Sequence, residues 1–91
     1  MIIGNVLIHI DLPYVASLKG RRSVLNGIKD NLKKLNVSVL DVSSEYVKEA
    51  DLAVVYAAAN EMLCYQVFQT IESLLDKRYP ELQYDAELER L

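Results

Sequence analysis

The residues best suited to bind an anion stand in one short segment, Ser17-Leu18-Lys19-Gly20-Arg21-Arg22. It offers a hydroxyl, three cations and the free N–H groups of a predicted helix start, a combination that suits phosphate. Lys29 and Lys33 follow Arg22 on nearly the same helix face, which extends the cations over about 16 Å. The spacing predicts an anion- or RNA-binding stripe formed by Ser17, Lys19, Arg21, Arg22, Lys29 and Lys33.

The charge distribution makes this stripe stand out. The chain has 91 residues and a net charge of −3. Residues 17–36 hold six basic residues against Asp30 alone, a charge of +5, so the remainder carries −8. Such a dipolar protein can present a basic face to RNA phosphates while staying acidic overall. The simpler alternative is that these long side chains only solvate a helix surface.

The residues that could do catalysis are few. His9 is the only histidine, and Asp11 lies two positions on, but no nucleophile accompanies them. The single cysteine, Cys64, excludes an internal disulfide and is interpreted as a packing residue. Glu87 and Glu89 are interpreted as the rim of a strand. With one histidine and no carboxylate cluster in the sequence, we expect a non-enzymatic protein with no catalytic residue, no cofactor and no metal site.

Hydrophobic periodicity predicts the elements that position these residues. Ser17 and Asn60 are expected to cap two helices, Asn36 to stop the first, and Pro13 and Pro80 to end a strand and a helix. Residues 45–50 are expected to form a short helical turn or a loop. The predicted elements are strand Ile2–Leu12, helix Ser17–Leu35, strands Val37–Val42 and Asp51–Ala59, helix Glu61–Arg78 and strand Leu82–Glu89.

The order βαββαβ predicts an α+β, ferredoxin-like domain covering residues 1–91. Right-handed crossovers place both helices on one face of a four-stranded antiparallel sheet. The other face would expose apolar side chains of the first and third strands, which usually marks an interface. We expect a homodimer formed through this face by Ile3, Leu7 and His9, or else a face that is covered by the chain's own tail or partly solvated.

Composition and sequence patterns also predict the compartment of the protein. No apolar run approaches the roughly 18–20 residues needed to span a membrane, and the start lacks the pattern of a signal peptide. Together with the single cysteine, this predicts a protein of the reducing cytoplasm that does not bind membranes.

The stretch MIIGNVLIHIDLPYVASLKGRRSVLNGIKDNL resembles the YlxP-like family of small bacterial proteins, a domain of unknown function. The resemblance rests on the opening Met-Ile-Ile-Gly, Ser17-Leu18-Lys19 followed by Arg21-Arg22, and Asn60-Glu61 at the second helix start. Gly20 departs from the longer residue expected there. The resemblance implies a ferredoxin-like fold and, because the family's genes tend to lie among translation genes, an RNA- or ribosome-linked role at Lys19, Arg21 and Arg22.

These observations predict a non-enzymatic protein that binds RNA or a ribosomal subunit through its basic first helix. One alternative is a protein–protein interaction module that acts through the open sheet face. A second alternative is binding of a small phosphorylated ligand at the N-terminus of the first helix.

Overall fold

The computed structural model describes residues 1–91 and confirms the predicted element order. Four strands and two helices follow one another as βαββαβ. The elements are β1 (Ile2–Asp11), α1 (Leu18–Lys33), β2 (Ser38–Asp41), β3 (Glu49–Ala58), α2 (Glu61–Arg78) and β4 (Gln83–Arg90).

The two predicted helix caps are both present. The Ser17 hydroxyl accepts a hydrogen bond from the backbone N–H of Gly20, and the Asn60 side chain accepts one from the N–H of Leu63. Asn36, predicted to stop the first helix, has a φ of 61°. This left-handed conformation, which asparagine tolerates better than most residues, turns the chain away from the end of α1.

The structure differs from the predicted elements mainly between β2 and β3. β2 is shorter than predicted, and β3 begins at Glu49, so the last two residues of the expected turn or loop belong to a strand. The connection itself is a loop with one turn at Val47 and Lys48. Extra backbone hydrogen bonds with β1 explain the longer β3, because β1 is long enough to pair with Glu49 through Asp11.

The sheet is antiparallel throughout, with the order β2-β3-β1-β4. β1 and β3 therefore lie in the middle, as the apolar composition of β3 predicts. The core lies between the sheet and the helices, where α1 contributes Leu25, Ile28 and Leu32. Alternate β1 residues are almost fully buried beneath the helices, namely Val6, Ile8 and Ile10. Neither helix is both long enough and apolar enough to span a lipid bilayer.

Candidate functional site

Four cations of α1 form one surface, which we call the basic flank: Lys19, Arg22, Lys29 and Lys33. Lys19, Arg22 and Lys33 are exposed, and Lys29 is half-buried. The ion pairs of the structure involve only His9 and Arg90 as cationic partners, so no carboxylate oxygen lies within 4.0 Å of these four cationic groups. The basic flank is therefore available to an external anion.

Lys29 of the basic flank acts electrostatically on Asp41, the last residue of β2. Burial raises the pKa of the Asp41 carboxyl at the end of β2, but hydrogen bonds from Ser43 and the charges of Arg21 and Lys29 outweigh it. The net result is a pKa below the usual value, so Asp41 stays ionised. Lys29 is thus close enough to Asp41 to help lower its pKa, in agreement with the contact between α1 and β2.

Arg21 does not belong to the basic flank, which corrects the predicted stripe. Its side chain is buried, with 8% of the residue exposed. The guanidinium donates from Nη1 to the carbonyl oxygens of Tyr46, at 2.8 Å, and Glu49, at 3.0 Å. Helical periodicity accounts for this position, because Arg21 lies on the same face as Leu25, one turn further along. Arg21 anchors the β2–β3 loop instead of facing solvent.

The N-terminus of α1 also has a structural task. The Ser17 hydroxyl lies 3.1 Å from the Gly20 nitrogen and is engaged as a cap. The ammonium group of Lys48 donates to the carbonyl oxygens of Pro13 and Val15, so it ties the β1–α1 loop to the β2–β3 loop. Of the charged groups predicted at this helix start, only Lys19 and Arg22 remain exposed.

A second group of polar side chains lies on the sheet face opposite the helices. His9 Nδ1 lies 2.7 Å from Asp51 Oδ1, and His9 Nε2 lies 3.6 Å from Asp11 Oδ1. The hydrogen bond with Asp51 raises the pKa of His9; burial opposes it, and the charges of Asp51, Glu49 and Asp11 add to the increase. Asp51 and Glu49 were missed from the sequence, because only the β1–β3 register brings them to His9 and Asp11.

The same register bears on metal binding. His9, Asp11 and Glu49 offer ligand atoms that all lie within 4.8 Å of one another, so these three residues could hold a metal ion. The expectation of no metal site relied on the absence of a carboxylate cluster in the sequence. Strand pairing adds Glu49 to His9 and Asp11, which are neighbours on β1, because Glu49 lies opposite Asp11 in the register.

The His9–Asp51 pair leads to a pH-dependent prediction. The pKa of His9 in the folded protein is raised above its usual value of 6.5. The interaction of protonated His9 with Asp51 therefore stabilises the fold fully below pH 6.5, and this stabilisation is lost as the pH rises through the folded-state pKa. We expect His9→Gln to lose more stability at about pH 6 than at about pH 9, as measured by urea unfolding. Asp51→Asn, which removes the main cause of the shift, should show the same dependence. Equal losses at both pH values would contradict it.

The remaining residues singled out in the sequence lie on the sheet or in the core. Leu7 is exposed and Ile3 is half-buried on the sheet face that the helices leave open. Cys64 is fully buried in the core, in agreement with its interpretation as a packing residue. The Tyr56 hydroxyl donates to the Cys64 carbonyl oxygen at 2.8 Å. Glu87 and Glu89 are exposed on β4.

Solved structures of low sequence identity share this fold. A structure described as a putative PII-like signaling protein from Thermus thermophilus has a TM-score of 0.60 and 13% identity over 100% of this chain and 87% of its own. The de novo designed protein LFR1 1, with a ferredoxin fold, has a TM-score of 0.60 and 14% identity over 97% and 85%. These similarities show the ferredoxin-like fold, and a fold alone does not determine function.

A third solved structure shares this fold in one part of a larger protein. A VAO-type flavoprotein from Myceliophthora thermophila C1 matches with a TM-score of 0.59 and 11% identity, over 99% of this chain but 16% of the flavoprotein. No curated protein is significantly similar in sequence. The family model described as a protein of unknown function (DUF503) matches residues 3–87, so the chain belongs to the DUF503 family.

Proposed function

We propose that this protein is a non-enzymatic RNA-binding protein that associates with a ribosomal subunit through the basic flank of α1. The observation that carries the proposal is that Lys19, Arg22, Lys29 and Lys33 line one flank without a carboxylate within 4.0 Å. Phosphate contacts supply most of the affinity of sequence-independent nucleic-acid binding. The YlxP-like resemblance supports the choice of RNA, because it links the chain to translation.

The arrangement of charge supports contact in one orientation. The sheet face opposite the helices carries carboxylates on β1, β3 and β4. These carboxylates repel the phosphates of RNA. The basic flank lies on α1, on the helix side of the molecule. An approaching RNA would therefore be attracted to α1 and repelled by the open sheet face, which favours a defined docking orientation.

Small-ligand binding at the N-terminus of α1 has less support. Arg21 donates to two backbone carbonyl oxygens, and the Ser17 hydroxyl caps the helix. A small phosphorylated ligand would therefore meet only Lys19 and Arg22 there. An extended backbone can instead contact the whole basic flank.

Charge reversal on α1 tests the proposal. We expect Arg22→Glu/Lys33→Glu to weaken co-sedimentation with ribosomal subunits from the protein's own host about tenfold or more at low salt. The slope of log affinity against log salt should fall by about 2, since two phosphate contacts are removed. Both residues are exposed, so the variant should remain folded.

The matched control is Lys77→Glu/Arg78→Glu in the last turn of α2, which changes the charge equally at two exposed positions. It should retain most of the affinity. Equal losses in the two variants would show that only net charge matters. No binding of the folded wild-type protein at low salt would reject the ribosome proposal.

A further inference from the structure

The sheet face opposite the helices, which we call the free face, is acidic, and its one basic side chain is His9, which pairs with Asp51 and Asp11. Its carboxylates come from three adjacent strands, and its strands contribute no lysine or arginine. In register, Asp51 and Asp85 lie on either side of His9, and Glu49 lies beside Asp11. The arginine of β4, Arg90, is paired with Gly4 in register and therefore lies on the helix side. The acidic residues of the free face are Asp11, Glu49, Asp51, Asp85, Glu87 and Glu89.

An apolar area adjoins these carboxylates on the same face. Ala53 of β3 lies between Leu40 of β2 and Leu7 of β1 in one row across the sheet, and the row ends at Glu87 of β4. Leu40 is 65% exposed and Leu7 is 42% exposed. Val55, also exposed, extends this area along β3. Contiguous exposed apolar surface bounded by charge is typical of a protein-binding site.

From this juxtaposition we propose that the free face binds a basic, amphipathic segment of another protein. Apolar side chains of the segment would pack on Leu7, Leu40 and Val55. Its lysines or arginines would meet the carboxylates of β4 and the Asp51–Asp85 row. Complementary potentials of this kind steer association and reject partners of the wrong charge.

Charge favours such a partner over a second copy of this chain. Two free faces packed together would bring twelve carboxylates to one interface, without a lysine or arginine from either sheet to offset them. Like charges brought together across an interface cost affinity. The same charge excludes RNA from this face, so the proposed partner site is separate from the basic flank and does not depend on the RNA proposal.

The test titrates 15N-labelled protein with a synthetic amphipathic peptide that has one leucine face and one lysine face. A second peptide replaces every lysine by glutamate. We expect only the lysine peptide to bind, with amide shifts concentrated around Leu7, Val55 and Asp85. Asp85→Lys/Glu87→Lys should weaken binding at least tenfold, and Leu40→Ser should weaken it as well.

The matched control is Glu45→Lys/Glu81→Lys, which makes the same charge change at exposed positions outside the strands. It should retain most of the affinity. Equal binding of the two peptides, equal losses in the two charge variants, or shifts away from the free face would overturn the proposal. So would a stable dimer in sedimentation equilibrium that Leu40→Glu dissociates, because a second copy would then occupy the face.

Discussion

Replacing Arg21 with alanine is expected to lower the free energy of unfolding by about 2 kcal/mol or more, while Arg22→Ala should change it by less than about 0.5 kcal/mol. The neighbouring arginines differ because Arg21 is buried and donates to the carbonyl oxygens of Tyr46 and Glu49. Arg22 is exposed and makes no ion pair. Urea unfolding of both variants measures the difference.

Binding measurements on the same pair separate structure from function. Arg22→Ala should weaken ribosomal-subunit binding without changing the unfolding midpoint. Arg21→Lys keeps the charge but loses the planar guanidinium and its two-bond geometry, so it should still destabilise the β2–β3 loop. A stability loss in Arg22→Ala as large as that of Arg21→Ala would contradict the assignment of the two residues.

The second large effect is expected at Gly4, where the ring of Tyr56 lies across the backbone of β1. Gly4 and Tyr56 are directly opposed in the β1–β3 pair. A Cβ atom at position 4 would come within 2.5 Å of Tyr56 Cζ, closer than nonbonded carbon atoms approach. Gly4→Ala should therefore destabilise the protein by about 1–3 kcal/mol, the usual cost of overpacking a core. Thermal and urea unfolding measure it.

A double-mutant cycle identifies the cause. The Tyr56 ring cannot easily move aside, because its hydroxyl donates to the Cys64 carbonyl oxygen at 2.8 Å. Tyr56→Leu shortens the side chain and removes this hydrogen bond. We expect Gly4→Ala to cost less in the Tyr56→Leu background than in the wild type, since the two residues are in contact. Additive costs would place the effect of Gly4→Ala in the strand backbone instead.

The two proposed binding sites, the basic flank and the free face, have opposite charge and lie on opposite sides of the sheet. The basic flank lies on α1, on the helix side, and the free face lies on the opposite side of the sheet. An RNA partner and a basic protein segment would therefore approach different surfaces without competing. Their tests are independent, because charge reversal on α1 should leave peptide binding unchanged, and Asp85→Lys/Glu87→Lys should not abolish ribosomal-subunit binding.

The amino-acid sequence alone was sufficient to predict the elements of the fold and their order. Alternating residues in β1, the apolar stripe of α1 and the caps Ser17 and Asn60 are local patterns, and local backbone preferences and side-chain periodicity decide them. The acidic outer side of β4 followed from the same alternation. Of the cations in the predicted stripe on α1, Lys19, Arg22 and Lys33 are exposed, whereas Arg21 is buried.

The contacts of individual side chains, by contrast, depend on the three-dimensional arrangement of the elements. Helical periodicity puts Arg21 on the buried side of α1 with Leu25, but its hydrogen-bond partners are the carbonyl oxygens of Tyr46 and Glu49, which lie 25 and 28 positions further along the chain. His9 meets Asp51 across 42 positions, and Gly4 lies opposite Tyr56, because the β1–β3 register places them there. Periodicity specifies which side of an element a residue occupies. Register and packing specify which other side chains that residue contacts. Both depend on contacts between segments that are distant in the chain, so a local pattern does not reveal them.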